Sequence, residues 1–235
     1  MNTQERLPQR HPSDETLLSH ASGTLGAAHR FVVATHALQC ADCRAKIGAA
    51  EQVGGLLLDD LAGMPLQPGA LQLCLTRVEE HESCVIPTER PIAAESLSPP
   101  QIAGVLLPQL FQGLRPGKLR WLAPGLGHAS LMSDRRGTLH FVRVKPGVTL
   151  PPHTHRGLEL TCVLEGAFHD TSGQYRVGDV AETGDEDEEA EHRKIDHDHL
   201  VVADSPADCV CIIATSGRLK FVGWLARFLQ PIMPF

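Results

Sequence analysis

A proline-rich stretch divides this chain into two parts whose apolar residues repeat at different intervals. Between Ile86 and Gln101 stand Pro87, Pro91, Pro99 and Pro100, a spacing that forbids a continuous helix and suits an extended linker. Before the break the apolar spacing is helical. After it the period falls to two, in the runs Thr138 to Lys145, Glu159 to Gly166 and Asp208 to Thr215, which predict strands separated by turns such as TSGQ and VGD. Several short strands at near-regular spacing predict a barrel or sandwich. The expected organisation is therefore a helical domain over 1–85, a linker over 86–105 and an all-β domain over 106–235.

In the first part, Ser13 and Asp14 offer N-cap chemistry, Leu17 and Leu18 begin an apolar face, and Gly23 provides a stop. A second helix carries Phe31, Val32 and Val33 towards His36, and a third begins near Ala41 and carries Ile47, Val53, Leu57 and Leu58. A fourth is predicted from Gly69 to about Glu82, with Leu71, Cys74, Leu75 and Val78 on one face. At the far end, Phe221, Trp224, Leu225 and Phe228 predict a last helix packed against the barrel.

His36, Cys40 and Cys43 form H-x3-C-x2-C across the junction of the second and third helices. One turn can present all three to a single ion. Zinc takes four tetrahedral nitrogen and sulfur ligands in structural sites, and His11, just before the first helix, is the candidate for the fourth. Two thiolates and two neutral imidazoles balance the charge of Zn²⁺, and the helix N-terminus beyond Cys40 favours thiolate. His20 and His29 are expected to be ordinary helix-surface residues.

The stretches RHPSDETLLSHASGTL and VVATHALQCADCRAKIGAAEQVGG resemble the zinc-dependent anti-sigma domain of the ChrR family. The resemblance implies that His11, His36, Cys40 and Cys43 bind zinc, while the surrounding helices grip a sigma factor of the extracytoplasmic-function type. It covers about the first 85 residues.

The second part carries a different pattern. GVTLPPHTHRGLELTCVLEG fits G-x5-H-x-H-x3-E-x6-G, with Gly147, His153, His155, Glu159 and Gly166 in place. Histidines at i and i+2 of a strand share a face, and Glu159 can turn inward beside them. This resembles the first cupin motif. The second cupin motif supplies one more histidine after a glycine turn, for which Gly178 and Asp179 are the counterpart. His192, His197 and His199 compete for that place. His199 is selected because it opens the apolar stretch LVVAD and stands ten residues before Cys209, as the ChrR pattern implies. The ligand set suits Zn, Fe, Mn or Ni, and the resemblance favours zinc. His140 and His169 are strand residues with no motif behind them.

Composition narrows the function classes. Among 235 residues there are 28 acids against 21 bases, which disfavours direct binding to nucleic acid phosphates. Nine of those acids lie between Glu182 and Asp198, against Arg193 and Lys194, so the acidity belongs to one stretch, expected to be a solvated face. No apolar run is long enough to span a membrane, and the opening MNTQERLPQRHPSDE lacks the core of a secretory signal, which makes the cytoplasm the expected location. Seven cysteines, an odd number in such a chain, point away from a disulfide framework and towards metal or redox use. Cys209 and Cys211 alternate on one strand, as core packing or as a redox sensor. Cys74, Cys84 and Cys162 are expected to be structural.

The fold class expected is α+β in two domains: a small all-α bundle with zinc, then a cupin barrel of jelly-roll type. That order of modules is similar to the whole ChrR family. It implies a non-enzymatic anti-sigma factor that releases its sigma factor on oxidative stress, by singlet oxygen or organic peroxide, sensed through the cupin metal. The alternative is a metal-dependent cupin dioxygenase with a zinc module for docking or structure.

Overall fold

The Ser13 hydroxyl accepts the Thr16 N–H at 3.1 Å, which starts the first helix at the cap the sequence provides. In the computed structural model, which describes residues 7–83, 101–102, 105–106, 114, 117–148, 153–154, 157–184, 200–201, 207–216 and 220–221, the helices are α1 (Asp14–Ala21), α2 (Ala27–Gln39), α3 (Ala41–Asp59) and α4 (Ala70–Ser83). Only Cys40 separates α2 from α3. It ends one helix and caps the next, in extended backbone, with its sulfur 3.5 Å from the Cys43 N–H. Among the described residues no helix is long and apolar enough to cross a membrane.

The three alternating runs form the adjacent central strands of one antiparallel sheet. These are β5 (Gly137–Val144), β7 (Glu159–Glu165) and β12 (Cys209–Thr215). With β3 (Arg120–Ala123), β4 (Leu126–Asp134) and β10 (Val180–Thr183) they build six strands in the order β10-β7-β12-β5-β4-β3. Smaller ladders complete the β domain: β11 (Leu200–Val201) with β8 (Ala167–Asp170) and β9 (Gly173–Arg176), and β13 (Lys220–Phe221) with β6 (His153–Thr154). Phe221 therefore pairs with His153 in a strand instead of opening a helix, because its ladder partner overrides the helical spacing of the aromatic residues that follow. Those later residues, and Cys84, lie outside the described residues.

The period of two sorts the sheet's side chains into two buried sets. Leu139, Phe141, Leu160, Cys162, Val210, Ile212 and Ala214 face the helices and share one core with Leu17, Val32, Val33, Cys43 and Ile47. Val142, Val144, Val163, Cys209 and Cys211 face the other way, onto Phe168 and Tyr175 of β8 and β9. Helix α2 lies against β5, β7 and β12. The two modules read from the sequence thus bury apolar surface against one another. Most of the expected linker, 86–105, lies outside the described residues, and its end forms the hairpin β1 (Gln101–Ile102) and β2 (Val105–Leu106).

Of the expected α3 face Ile47 enters the core, whereas the rest of that face and the expected face of α4 are turned outward. Val53, Leu56, Leu57 and Leu58 are exposed, as are Leu71, Cys74, Leu75 and Val78. At the sheet's edge, the Val180 N–H donates to the Arg10 carbonyl at 3.0 Å, so the chain before α1 pairs with the edge strand β10 at this point.

Candidate metal centre

Four side chains meet where α1, the α2–α3 junction and the edge of the sheet come together. One donor atom from each of His11, His36, Cys40 and Cys43 lies within 4.8 Å of all the others. Among the described residues this is the group of histidine, cysteine and carboxylate side chains close enough to share one ion. His36 and both cysteines are buried, and His11 is exposed.

Four of the six separations between these donors match the edges of a tetrahedral zinc site. Four ligands at zinc distances of about 2.0–2.3 Å stand about 3.3–3.8 Å apart along the edges. Here His11 Nδ1 is 3.3 Å from His36 Nε2, 3.4 Å from Cys40 Sγ and 3.5 Å from Cys43 Sγ, and His36 Nε2 is 3.3 Å from Cys43 Sγ. The donor set and its spacing are consistent with zinc.

Helix geometry explains the convergence. Cys40 and Cys43 lie on the first turn of α3, where the helix dipole favours negative charge on sulfur. His36 stands one turn before Cys40 on α2 and is held from behind: its Nδ1–H donates to the Gly178 carbonyl at 2.7 Å. A carbonyl only accepts, so the proton sits on Nδ1 and the Nε2 lone pair points into the cluster. Burial lowers the His36 pKa below the ordinary value, which keeps the ring neutral. Burial, and then the adjacent Cys40 sulfur, push the Cys43 thiol up to about 12. A bound cation must displace that proton.

The barrel motif is placed less fully. Glu159 is 3% exposed at the head of β7, opposite Thr183 and Thr215. His153 lies in β6. His155 and His199 lie outside the described residues, as do the competing His192 and His197.

Several residues differ from the expectation. His29 is no surface residue: it is 2% exposed, and its Nε2 lies 2.9 Å from the Leu158 carbonyl and 3.3 Å from Ser216 Oγ. It sits on the sheet-facing side of α2, two turns before His36. His20 is half-buried, and its pKa is lowered by burial and then by Arg30. His140, which no motif marks, is buried with His128, the rings joined by an Nε2 to Nδ1 contact of 3.0 Å. Glu182 does not belong to a solvated run either. Its carboxylate accepts from the Ser13 N–H and hydroxyl and from the Thr16 hydroxyl at the start of α1. The remainder of the acidic stretch lies outside the described residues. Cys209 and Cys211 share a face with sulfurs 3.7 Å apart, Cys162 is buried in the helix-facing core, and Cys74 is exposed.

The anti-sigma-E factor ChrR of Cereibacter sphaeroides is 34% identical over 223 residues, covering 94% of this chain and 96% of that protein. The chain belongs to the ChrR family of anti-sigma factors. The family profile of the ChrR cupin-like domain matches residues 114–204, the part of a ChrR chain that here holds β3 to β11. The crystal structure of Rhodobacter sphaeroides SigE in complex with the anti-sigma ChrR is similar at a TM-score of 0.65 and 29% identity, covering 88% of this chain and 98% of that one. The ChrR family thus accounts for both the helical part with its histidine and cysteine cluster and the cupin-like sheet behind it.

Proposed function

We propose that this protein is an anti-sigma factor that sequesters a sigma factor of the extracytoplasmic-function type in the cytoplasm and releases it on oxidative stress. The observation that carries this reading is similarity to ChrR along 94% of the chain, together with a solved complex of that relative's kind with SigE. A local feature supports it. Leu56, Leu57, Leu58, Leu61, Met64 and Leu66 are each at least 64% exposed, a cluster of large apolar side chains that an isolated soluble chain leaves uncovered at a cost and a partner would bury.

In this reading His11, His36, Cys40 and Cys43 hold zinc and fix the α2–α3 corner. His153, His155, Glu159 and His199 hold a divalent ion in the barrel: zinc, or Fe, Mn or Ni, which the same donors accept. The protein turns over no substrate and touches no nucleic acid. The barrel senses singlet oxygen or organic peroxide, and the signal favours a state that binds the sigma factor less tightly, since an effector shifts an equilibrium only through its differential free energy.

Co-expression with the sigma factor encoded beside the gene tests the inhibitory role. A stable complex that holds zinc and is lost in Cys40→Ser and Cys43→Ser is expected. A folded, zinc-loaded chain that captures no sigma factor would sink the reading and direct attention to dioxygenase activity of the barrel. For the sensing role, His155→Ala is expected to lose the barrel metal and stress induction together; unchanged metal content and induction would remove it.

A further inference from the structure

Both histidines of the cluster are held by the same turn of the barrel. That turn, residues 177–179 between β9 and β10, offers a carbonyl and a carboxylate in succession. The Gly178 carbonyl accepts the His36 Nδ1–H at 2.7 Å. Asp179, 5% exposed, accepts the backbone N–H groups of Gln9 at 2.7 Å and Arg10 at 3.1 Å through Oδ1, while its Oδ2 accepts the Arg176 N–H at 2.9 Å. The next residue, Val180, donates to the Arg10 carbonyl at 3.0 Å. Residues 9 and 10 lead directly into His11, so three hydrogen bonds from the barrel fix the backbone that aims its ring.

The approach is close and admits little slack. Gly178 has φ of 87°, and a Cβ there would stand 2.8 Å from Pro8 Cγ and 3.0 Å from Gln39 Oε1, so this turn needs glycine both for its backbone conformation and for space. Arg10 adds a further anchor: its guanidinium donates to the Ser172 carbonyl at 2.7 Å and lies over the Tyr175 ring, 4.8 Å from its centre. By contrast, Cys40 and Cys43 are placed by the backbone of the α2–α3 corner itself.

We propose that the β9–β10 turn is the outer shell of the His2Cys2 site and that Asp179 is a positioning residue for it, so that the barrel sets how firmly the helical part retains its metal. This rests on the reading that the four residues hold zinc. Groups that orient metal ligands without touching the metal typically change affinity by about 10- to 100-fold when removed. A shift of this one turn loosens both imidazoles and leaves both thiolates in place, which gives the barrel a direct route to the helices.

The test is zinc release from the purified full chain into excess chelator, followed by colour, for the natural protein and for Asp179→Ala, Asp179→Asn and Asp208→Ala. Asp208 pairs with Arg143 at 2.6 Å elsewhere on the sheet, so its variant reports loss of stability alone. Release is expected to accelerate about 10- to 100-fold in Asp179→Ala. Asp179→Asn, which keeps an acceptor for the N–H groups of residues 9 and 10, is expected to recover most of the retention. Asp208→Ala is expected to stay close to the natural rate. In cobalt-loaded protein the ligand-field bands of Asp179→Ala are expected to shift, as a merely structural loss would not cause. Natural release in Asp179→Ala, or equal acceleration in Asp208→Ala, overturns the positioning role while leaving the zinc reading intact. A natural chain that carries no zinc overturns both.

Discussion

His29 on α2 contacts the carbonyl of Leu158, 129 residues further along the chain, at 2.9 Å, and the residue after Leu158 is the buried carboxylate Glu159. The carbonyl accepts, so Nε2 carries the proton. The same helix carries His36 two turns later, so one rigid rod joins the neighbour of Glu159 to the His2Cys2 cluster. Replacing His29 by Ala removes a fully packed ring and one of the two donors to that carbonyl, which keeps the Ser216 N–H at 3.0 Å. The expected cost is about 2–3 kcal/mol, read as a fall of roughly 4–12 °C in the melting temperature. A change under a degree would show that the contact holds nothing in place.

The buried pair His128 and His140 sets a pH dependence. Burial pushes His128 down to about 4. Burial, and then His128 itself, push His140 down to about 3, against the pull of Glu159. The unfolded chain, with ordinary histidines near 6.5, therefore binds more protons than the folded one as the medium turns acid. The contribution of the pair is fully present above about pH 6.5 and declines as pH falls towards about 4, with a slope of up to about 1.4 kcal/mol per pH unit for each ring. Urea midpoints measured from pH 8 to pH 5 are expected to fall more steeply in the natural protein than in a His128→Gln, His140→Gln double variant. Both proteins lose metal in acid, so the difference isolates the pair; parallel curves would contradict it.

The parts of this fold that were legible in the sequence are those with a local signature. Ser13 caps α1, the spacing of His36, Cys40 and Cys43 follows from one helix turn and a corner, and the central strands β5, β7 and β12 alternate cleanly. His29 was not legible, because it has the local context of an ordinary helix-surface position and is buried only by an element distant in sequence. The signal for His140 lay in the alternation itself. In LHFV, Leu139 and Phe141 already fill the helix-facing side, so His140 had to enter the other buried face. Glu182 misled for the same reason: a charge run predicts solvent, but the start of α1 folds back onto its first member. The apolar faces of α3 and α4 carried helical period correctly, yet period alone does not say whether the core or a partner covers the face.

Metal retention in the His2Cys2 cluster is expected to weaken as pH falls. Cys43 is protonated at neutral pH when no cation is bound, its thiol pushed up to about 12 by burial and by Cys40, so each binding event releases at least that proton. One proton released corresponds to about a tenfold change in apparent affinity per pH unit. Competition against a chelator of known pH behaviour, between pH 6 and pH 8, is expected to show at least this slope. A flat profile would mean that Cys43 is no ligand.

The exposed leucines separate binding from folding. Leu57 on α3 is 64% exposed and Leu71 on α4 is 68% exposed, so replacing either with Glu removes almost no buried contact within the chain. Surface changes of this kind usually alter stability by less than about 0.5 kcal/mol. If these side chains are anchors in the sigma-factor interface, the same substitutions place a charge in a desolvated apolar patch, and an anchor lost there typically costs about 2 kcal/mol or more in binding, close to a 30-fold weakening. Leu57→Glu and Leu71→Glu are therefore expected to melt like the natural protein and hold zinc like it, yet to release the sigma factor in vitro and to leave it active in cells without any stress. Because metal content and melting temperature are measured on the same preparations, a variant that still binds the sigma factor normally would place the interface elsewhere on the chain, without calling the fold or the metal site into question.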